Sequence, residues 1–259
     1  MPGEENQDLA GWLHPRAREV HRDAVLWVLD KPAGILSHPN PPGVRVPNAL
    51  FRGAYDFERE LYRFEAEGRR QRQVHLVHRL DLETSGLMLC TFSGHAAAKL
   101  KEALFHWEVT KEYRALVVGV PSPRRGEWAD RLEKASKGGR ATVTVRRGRP
   151  NARARYAVIK IFDGPGPGLA LVSLWPESGR THQLRVQAAS RGTPIAGDER
   201  YGDFAANRRL AADIGLDRMF LHAHRVELRH PESGHLLKLE APLPRRLVDV
   251  LSRLKARAS

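Results

Sequence analysis

The sequence predicts an α+β fold: a mixed, mainly antiparallel central sheet with flanking helices. Two observations carry this. Candidate strands follow one another in runs, without the regular strand–helix alternation that builds a parallel sheet. Short turn segments, "DGPGPG" (163–168) and "PESG" (231–234), join apolar runs as hairpin connections do.

The elements follow in order. Residues 1–23 read as a lead-in, and 24–259 as one domain built from two intimate subdomains. "AVLWVLD" (24–30) is a strand that stops at "KPAG", where Pro32 and Gly34 force a turn. Leu50, Phe51, Ala54, Phe57, Leu61 and Phe64 stand near helical spacing and predict a helix closed at Gly68. "GLMLCTF" (86–92) is a buried strand, "HAAAKLKEALFH" (95–106) an amphipathic helix, and "VTKEYRALVVG" (109–119) a strand. Three more strands are "ATVTVRR" (141–147), "ARARYAVIKIF" (152–162) and "LALVSLWP" (169–176). "THQLRVQAASRG" (181–192) reads as a helix closed by glycine. "RMFLHAHRVELRH" and "HLLKLEAP" form a hairpin, and 244–258 a last helix.

Charge narrows the partner. The chain carries 43 Lys+Arg against 30 Asp+Glu, a net +13, which points to a polyanion, most simply nucleic acid. An anionic membrane surface is the competing partner. No apolar run is long enough to span a bilayer, and the N-terminus lacks a signal-peptide pattern. The one cysteine, Cys90, lies in an apolar run, where it packs as a small hydrophobe; single cysteine usage fits a reducing compartment, and the cytoplasm is the expected location. No association helix stands out, so a monomer without an obligate protein partner is expected.

Three constellations bear chemistry. In "HLVHRLDLETSGLMLC" (75–90), Asp81 lies between Arg79 and a Thr-Ser-Gly turn at the mouth of a strand. From local pattern alone, a turn with a local ion pair is the commoner reading, and a catalytic carboxylate the rarer one. In "PESGRTHQLRVQ" (176–187), Arg180, Thr181, His182, Gln183 and Arg185 crowd the start of a helix. Cations there oppose the helix dipole, so Arg180 and Arg185 look like partners of a carboxylate or phosphate. In "TKEYRALVVG", Lys111 and Tyr113 share one strand face; a packed tyrosine and a base-stacking one are both open. The pairs His75/His78 and His222/His224 lack a nearby ligand set of metal spacing, and no metal is expected. Residues 134–155 carry many cations and read as a phosphate-contacting surface or a solvated loop. No dinucleotide fingerprint, phosphate-binding Gly-Lys loop or paired cysteine motif is present, so chemistry by side chains without a cofactor is expected.

These segments together resemble the RluA-type RNA pseudouridine synthases. "HRLDLETSGLMLC" is similar to the family's catalytic motif, "LDKPAGILSHP" to its N-terminal motif and "KEYRALVVG" to its Lys-x-Tyr strand. "SGRTHQLRV" with "GTPIAGDERYG" resembles the third motif, and "FLHAHRVELRHPESGHLLKLEAPLP" the C-terminal hairpin. The matches run in family order over roughly residues 24–245. The resemblance implies that Asp81 is the catalytic aspartate, that Tyr113 stacks on the target base and assists late proton removal, and that Arg185 pairs with Asp81 in the empty site. It also implies that Arg79 contacts RNA as the nucleotide is extruded. His78, Lys111, Arg180, His182 and Gln183 are further candidate substrate or RNA contacts. Gln187 stands where the family often has His, and little effect on the chemistry is expected. Many relatives carry a small N-terminal S4 RNA-binding domain; too few residues precede the first strand for one here, so RNA selection is expected from the catalytic domain.

The implied substrate is structured RNA, ribosomal or transfer. Pseudouridylation needs no redox partner or group donor, which suits the lack of cofactor motifs. The competing reading is a catalytically silent RNA-binding or ribosome-assembly factor on the same scaffold; intact Asp81, Tyr113 and Arg185 argue against it. A metal-dependent nucleic-acid hydrolase would need a carboxylate or histidine cluster that the sequence does not offer.

Overall fold

A computed structural model describes residues 11–39, 48–65, 72–137, 140–163 and 168–257. In chain order the first elements are β1 (Arg18–Arg22), β2 (Leu26–Lys31), β3 (Ala54–Asp56), β4 (Leu61–Phe64), β5 (Arg72–Leu76), β6 (Ser85–Thr91) and α1 (Gly94–Phe105). Next come β7 (Thr110–Val118), β8 (Arg125–Lys137), β9 (Arg140–Arg146), β10 (Ala152–Phe162) and β11 (Leu169–Pro176). The last are α2 (Gln183–Ala189), α3 (Phe204–Ile214), β12 (Leu221–Arg229), β13 (Leu236–Glu240) and α4 (Arg245–Arg257). The ladders that join β1 to β2, β2 to β6, β3 through β6, β12 to β13 and β7-β11-β10-β8-β9 are antiparallel, in line with the mainly antiparallel reading.

The chain divides into two units. The first takes the described residues through Val109 together with Arg225–Ala241; the second takes Thr110–His224 and the described residues from Pro242 on. Strand β12 therefore contributes to both.

In the first unit, β3, β4, β5 and β6 are consecutive neighbours, β2 adds to β6, and β1 adds to β2. Strand β6 is buried along its whole length, which explains its unbroken apolar run. Leu26, Val28, Leu87 and Leu89 pack with Leu100 of α1 and with Val226 and Leu228. Helix α1 starts where Ser93 Oγ accepts from Ala96 N–H, and it buries Ala96, Ala97 and Leu100.

Two expectations for this unit are corrected. Residues 18–22, read as part of a lead-in, form β1 against β2, pinned by Trp27 Nε1 donating to Glu19 Oε2 at 2.7 Å. A charged edge strand has little apolar alternation to betray it. The helix expected between Leu50 and Phe64 is instead the β3–β4 hairpin. Asp56 Oδ1 accepts from the N–H groups of Glu58 and Arg59, which turns the chain between the strands. Tyr55 and Tyr62 then meet as a cross-strand pair with ring centroids 4.8 Å apart. A Cβ on Gly53 would stand 2.8 Å from the Phe64 ring, so only glycine lets the chain pass there. Gly68, the expected helix stop, lies outside the described residues.

In the second unit the strand order is β7-β11-β10-β8-β9. Leu116, Val118, Phe162 and Phe220 pack against Leu247, Val250 and Leu254, one stripe of α4. Strand β8 and helix α3 are additional to the sequence reading. Helix α3 buries only Ala206 and Ile214, so its apolar stripe is thin; its caps are the readable signal. Asp203 Oδ1 accepts from Ala206 N–H at 2.9 Å, and Gly215 closes the helix in the left-handed region. Helix α2 is shorter than predicted, seven residues in place of 181–192. The glycine stop is real, with Gly192 at φ +70°, but a turn precedes it.

Candidate active site

In the first unit, Asp81 lies on the segment between β5 and β6, and the residues on either side of it are fastened to residues 31–37. Ser37 is buried; its Oγ donates to Leu80 O at 2.9 Å and accepts from Leu80 N–H at 3.0 Å. Both backbone groups of the residue before Asp81 are thus satisfied by one hydroxyl. Ser37 is itself held by Tyr62, whose OH donates to Ser37 O at 3.0 Å. On the other side, Leu82 O accepts from Gly34 N–H at 2.9 Å and from Lys31 Nζ at 3.4 Å.

Lys31 is fully buried, and its ammonium also donates to the carbonyls of Ile35 at 2.6 Å and Pro32 at 3.1 Å. A buried charge survives only with such compensation. Gly34, at φ +76°, supplies the left-handed turn that lets the Pro32 and Ile35 carbonyls converge on Lys31. Thr84 N–H donates to Asp81 O at 3.1 Å and closes the Thr-Ser-Gly turn. The backbone under Asp81 is therefore determined by contacts on both flanks, while its side chain keeps partial exposure.

The neighbouring candidates take different places. His78 Nε2 accepts from Leu89 N–H at 3.1 Å, so this ring braces β6. Arg79 is exposed, and its Nη1 donates to His38 Nε2 at 3.0 Å. His38 in turn stacks on Tyr55, centroids 5.0 Å apart and planes 10° from parallel. The guanidinium thus rests on an aromatic shelf that the hairpin builds. Cys90 is fully buried and its thiol pKa is pushed well up by that burial, in line with a packing role.

In the second unit, β7 carries Tyr113, buried and opposite Leu174 of β11. Glu112, Arg114 and Ser173 form a polar network beside it: Arg114 Nη1 lies 2.9 Å from Glu112 Oε1, and Ser173 Oγ donates to Glu112 at 2.7 Å. Lys111 keeps some exposure, yet burial pushes its ammonium pKa down to about 8.

Helix α2 brings Arg185 to Asp198. Nε donates to Oδ2 at 2.7 Å and Nη2 to Oδ1 at 2.8 Å, a two-pronged pair with both side chains almost wholly buried. Asp198 Oδ1 also accepts from the N–H groups of Arg200 at 2.8 Å and Tyr201 at 3.0 Å. Burial works to raise the Asp198 pKa; the Arg185 guanidinium and the two backbone donors outweigh it and hold the carboxyl below its usual range. The Tyr201 ring lies under the Arg185 guanidinium at 5.2 Å, and its hydroxyl bonds His182 Nδ1 at 2.8 Å. His182 occupies the left-handed region at φ +53°, held by that bond at the cap of α2.

The "GTPIAGDERYG" segment is the mount for this arrangement. Asn207 Oδ1 accepts from Gly197 N–H at 2.8 Å and its Nδ2 donates to Asp198 O at 3.0 Å. A Cβ on Gly197 would stand 2.2 Å from Arg218 O, so the motif's glycine is required by a close approach. Gln183 is buried, with Oε1 accepting from Ser178 Oγ at 2.8 Å and Arg180 N–H at 3.2 Å and Nε2 donating to Arg153 O at 2.8 Å. Its amide fixes the loop that presents Arg180, which is exposed. Gln187 is fully buried and donates to Asp130 Oδ2 at 2.8 Å.

A family model described as RNA pseudouridylate synthase matches residues 25–190. The chain belongs to the RNA pseudouridylate synthase family. The ribosomal large subunit pseudouridine synthase C of Haemophilus ducreyi is 35% identical over 246 residues, covering 92% of this chain and 69% of its own. The protein of the same name from Escherichia coli K12 is 34% identical over 245 residues, covering 91% and 69%. The solved human RNA pseudouridylate synthase domain containing 4 superposes with a TM-score of 0.67 at 25% identity, covering 98% of this chain and 97% of the other. Human RNA pseudouridylate synthase domain containing 1 shares the fold, with a TM-score of 0.65 at 22% identity over 93% of this chain and 95% of the other.

The resemblance to RluA-type synthases is thus borne out, and with it the reading of this synthase as an isomerase that acts on RNA. Nothing favours the silent-factor reading. Among the described residues of the synthase, no helix is long and apolar enough to cross a membrane, and no group of three His, Cys, Asp or Glu side chains is placed to hold a metal ion. The sequence reading missed Lys31, Ser37 and Asp198 as supports. Each sits inside a segment already singled out, but a partner distant in the chain, Leu82 for Lys31, Leu80 for Ser37 and Arg185 for Asp198, leaves no local pattern.

Proposed function

We propose that this synthase isomerises a uridine in ribosomal RNA, with Asp81 as the catalytic carboxylate. The observation that carries the role of Asp81 is the fastening of Leu80 and Leu82, on either side of it, to the buried Ser37 and Lys31. A carboxylate whose backbone is held this firmly, at the head of a buried strand, meets the demand for a fixed catalytic group. Ribosomal RNA is the substrate that the names of the large-subunit relatives support, and the net +13 suits a heavily charged RNA.

In the reaction the N1–C1′ bond breaks, the uracil turns, and a C5–C1′ bond forms. The C5 proton is lost and N1 gains one, so atoms and electrons balance without an external partner. The Asp81 carboxylate serves as nucleophile toward the nucleotide or as base toward a ribose proton. Tyr113 is the platform for the extruded base and assists removal of the C5 proton. Arg185 is the cation that balances the catalytic carboxylate in the reaction. Arg79 contacts RNA as the nucleotide leaves its stack. His78, Lys111, His182 and Gln183 shape and brace the site, and Arg180 offers its charge to the backbone.

The test is tritium release from ribosomal RNA labelled at uridine C5, followed by mapping of the product. Release with pseudouridine at one or a few large-subunit positions is the expected result. Release only from transfer RNA would overturn the ribosomal assignment, and no release from any RNA would overturn the activity.

A further inference from the structure

Strand β8, strand β9 and the turn after β9 bring four arginines to one corner of the second unit. Arg131 of β8 lies directly opposite Arg146 of β9 in the ladder. Arg147 and Arg149 follow on the turn, and all four are exposed. Gly148 folds the turn onto Arg131: a Cβ at Gly148 would stand 2.9 Å from Arg131 Cδ. The loop between β11 and α2 joins the group, since Arg180 Nε donates to Asn151 O at 3.3 Å.

Against these five guanidinium groups stands Glu133, 2.7 Å from Arg131 Nε. Among the described residues, Arg146, Arg147 and Arg149 have no carboxylate at ion-pair distance. Like charges directly opposite in a ladder destabilise it. The corner is thus a cation cluster maintained at some cost to folding, as expected when an anion binds between the guanidinium groups.

From this corner we infer a phosphate-binding surface for the RNA backbone, separate from the residues that act on the uridine. Arginine forks match phosphate oxygens, and such contacts fix register without reading bases. The corner is continuous with the start of α2: Gln183 holds Arg180 N–H through Oε1 and the β10 backbone through Nε2. RNA seated on Arg146, Arg147 and Arg149 would therefore be registered to the helix that carries Arg185. The inference rests on the reading of the chain as an enzyme acting on RNA.

The test compares wild type with Arg146→Glu/Arg147→Glu/Arg149→Glu, using a large-subunit ribosomal RNA transcript. Binding is measured from 50 to 200 mM salt, with tritium release for KM and kcat. Loss of three phosphate contacts predicts a log–log salt slope smaller by about two and a KM raised about tenfold or more, with kcat at saturating RNA kept within about twofold. A triple Lys variant keeps the charge and should restore most of the affinity; a melting temperature no lower than wild type in both variants shows that the fold is intact. A wild-type slope and KM in the triple Glu variant would overturn the surface while leaving the activity in place. So would a Lys variant as weak as the Glu variant. Loss of binding to phosphatidylglycerol vesicles with no change toward RNA would assign the corner to lipid and overturn it too. Failure of the wild-type protein to release tritium would instead overturn the functional reading beneath it.

Discussion

Arg185 and Asp198 meet through two parallel hydrogen bonds, 2.7 Å and 2.8 Å long, at a point where neither side chain has more than a trace of exposure. Asp198 is fully engaged there, because Oδ1 also takes two backbone donors. The pair sets the guanidinium plane of a residue assigned to balance the catalytic charge. Asp198→Asn keeps the shape but replaces one acceptor with a donor facing Arg185. We expect kcat to fall by about a hundredfold, the scale of a small misplacement of a catalytic group. KM should change little. The distinguishing readout is kcat measured at a temperature where both proteins are fully folded by circular dichroism. An unchanged kcat there would mean that Asp198 serves only the fold.

The same carboxyl predicts an acid response. Its folded pKa lies below the ordinary 3.8, so its stabilising contribution is complete above that value. That contribution is lost as pH falls through the lower folded value. Acid unfolding followed by circular dichroism should begin at higher pH in Asp198→Asn, which lacks this contribution at every pH. Coincident acid transitions would contradict the role assigned to the ion pair.

Ser37 offers a test of the support under Asp81. Ser37→Ala removes the hydroxyl that serves both backbone groups of Leu80. Buried backbone groups left without partners cost about 1–3 kcal/mol, so urea denaturation should register a loss in that range. Tritium release should fall by more than stability alone accounts for, measured well below the melting transition. Full activity in a destabilised Ser37→Ala protein would separate the clamp from catalysis.

Lys111 gives a prediction in an alkaline window. Burial lowers its pKa from 10.5 in the reference state to about 8 in the folded chain. Between those values the unfolded state binds more protons, so this group makes stability rise with pH across that window. Below about pH 8 the folded state carries the ammonium charge and with it the full cost of desolvation. Lys111→Met should flatten the rise between pH 8 and 10.5 in urea melts. An identical pH dependence in both proteins would show that Lys111 keeps its ordinary affinity for protons.

Much of the fold, and the motif segments that carry the candidate site residues, were legible in the sequence, for a physical reason. Buried strands such as β6 announce themselves by unbroken apolar runs, and α1 and α4 by apolar stripes. What escaped was decided by contacts distant in the chain. The β3–β4 hairpin mimicked helical spacing because Phe51 and Phe64, two members of the apparent stripe, meet as rings across the fold, edge-on with centroids 5.8 Å apart. Strand β1 is polar enough to pass for a lead-in until its pairing with β2 is seen. Among the candidate residues, Asp81, Tyr113 and Arg185 were marked by motif, while the supports Ser37, Lys31 and Asp198 were not. Those three act through backbone carbonyls, a backbone N–H and a guanidinium, and neither spacing nor composition records such partners.

The most direct test of the central claim is tritium release from C5-labelled ribosomal RNA by Asp81→Asn, run beside a binding measurement on the same RNA. The substitution removes the ionisable oxygen and leaves the clamps at Leu80 and Leu82 untouched. The account predicts no detectable release with RNA affinity close to wild type. Release at a rate near wild type would contradict it.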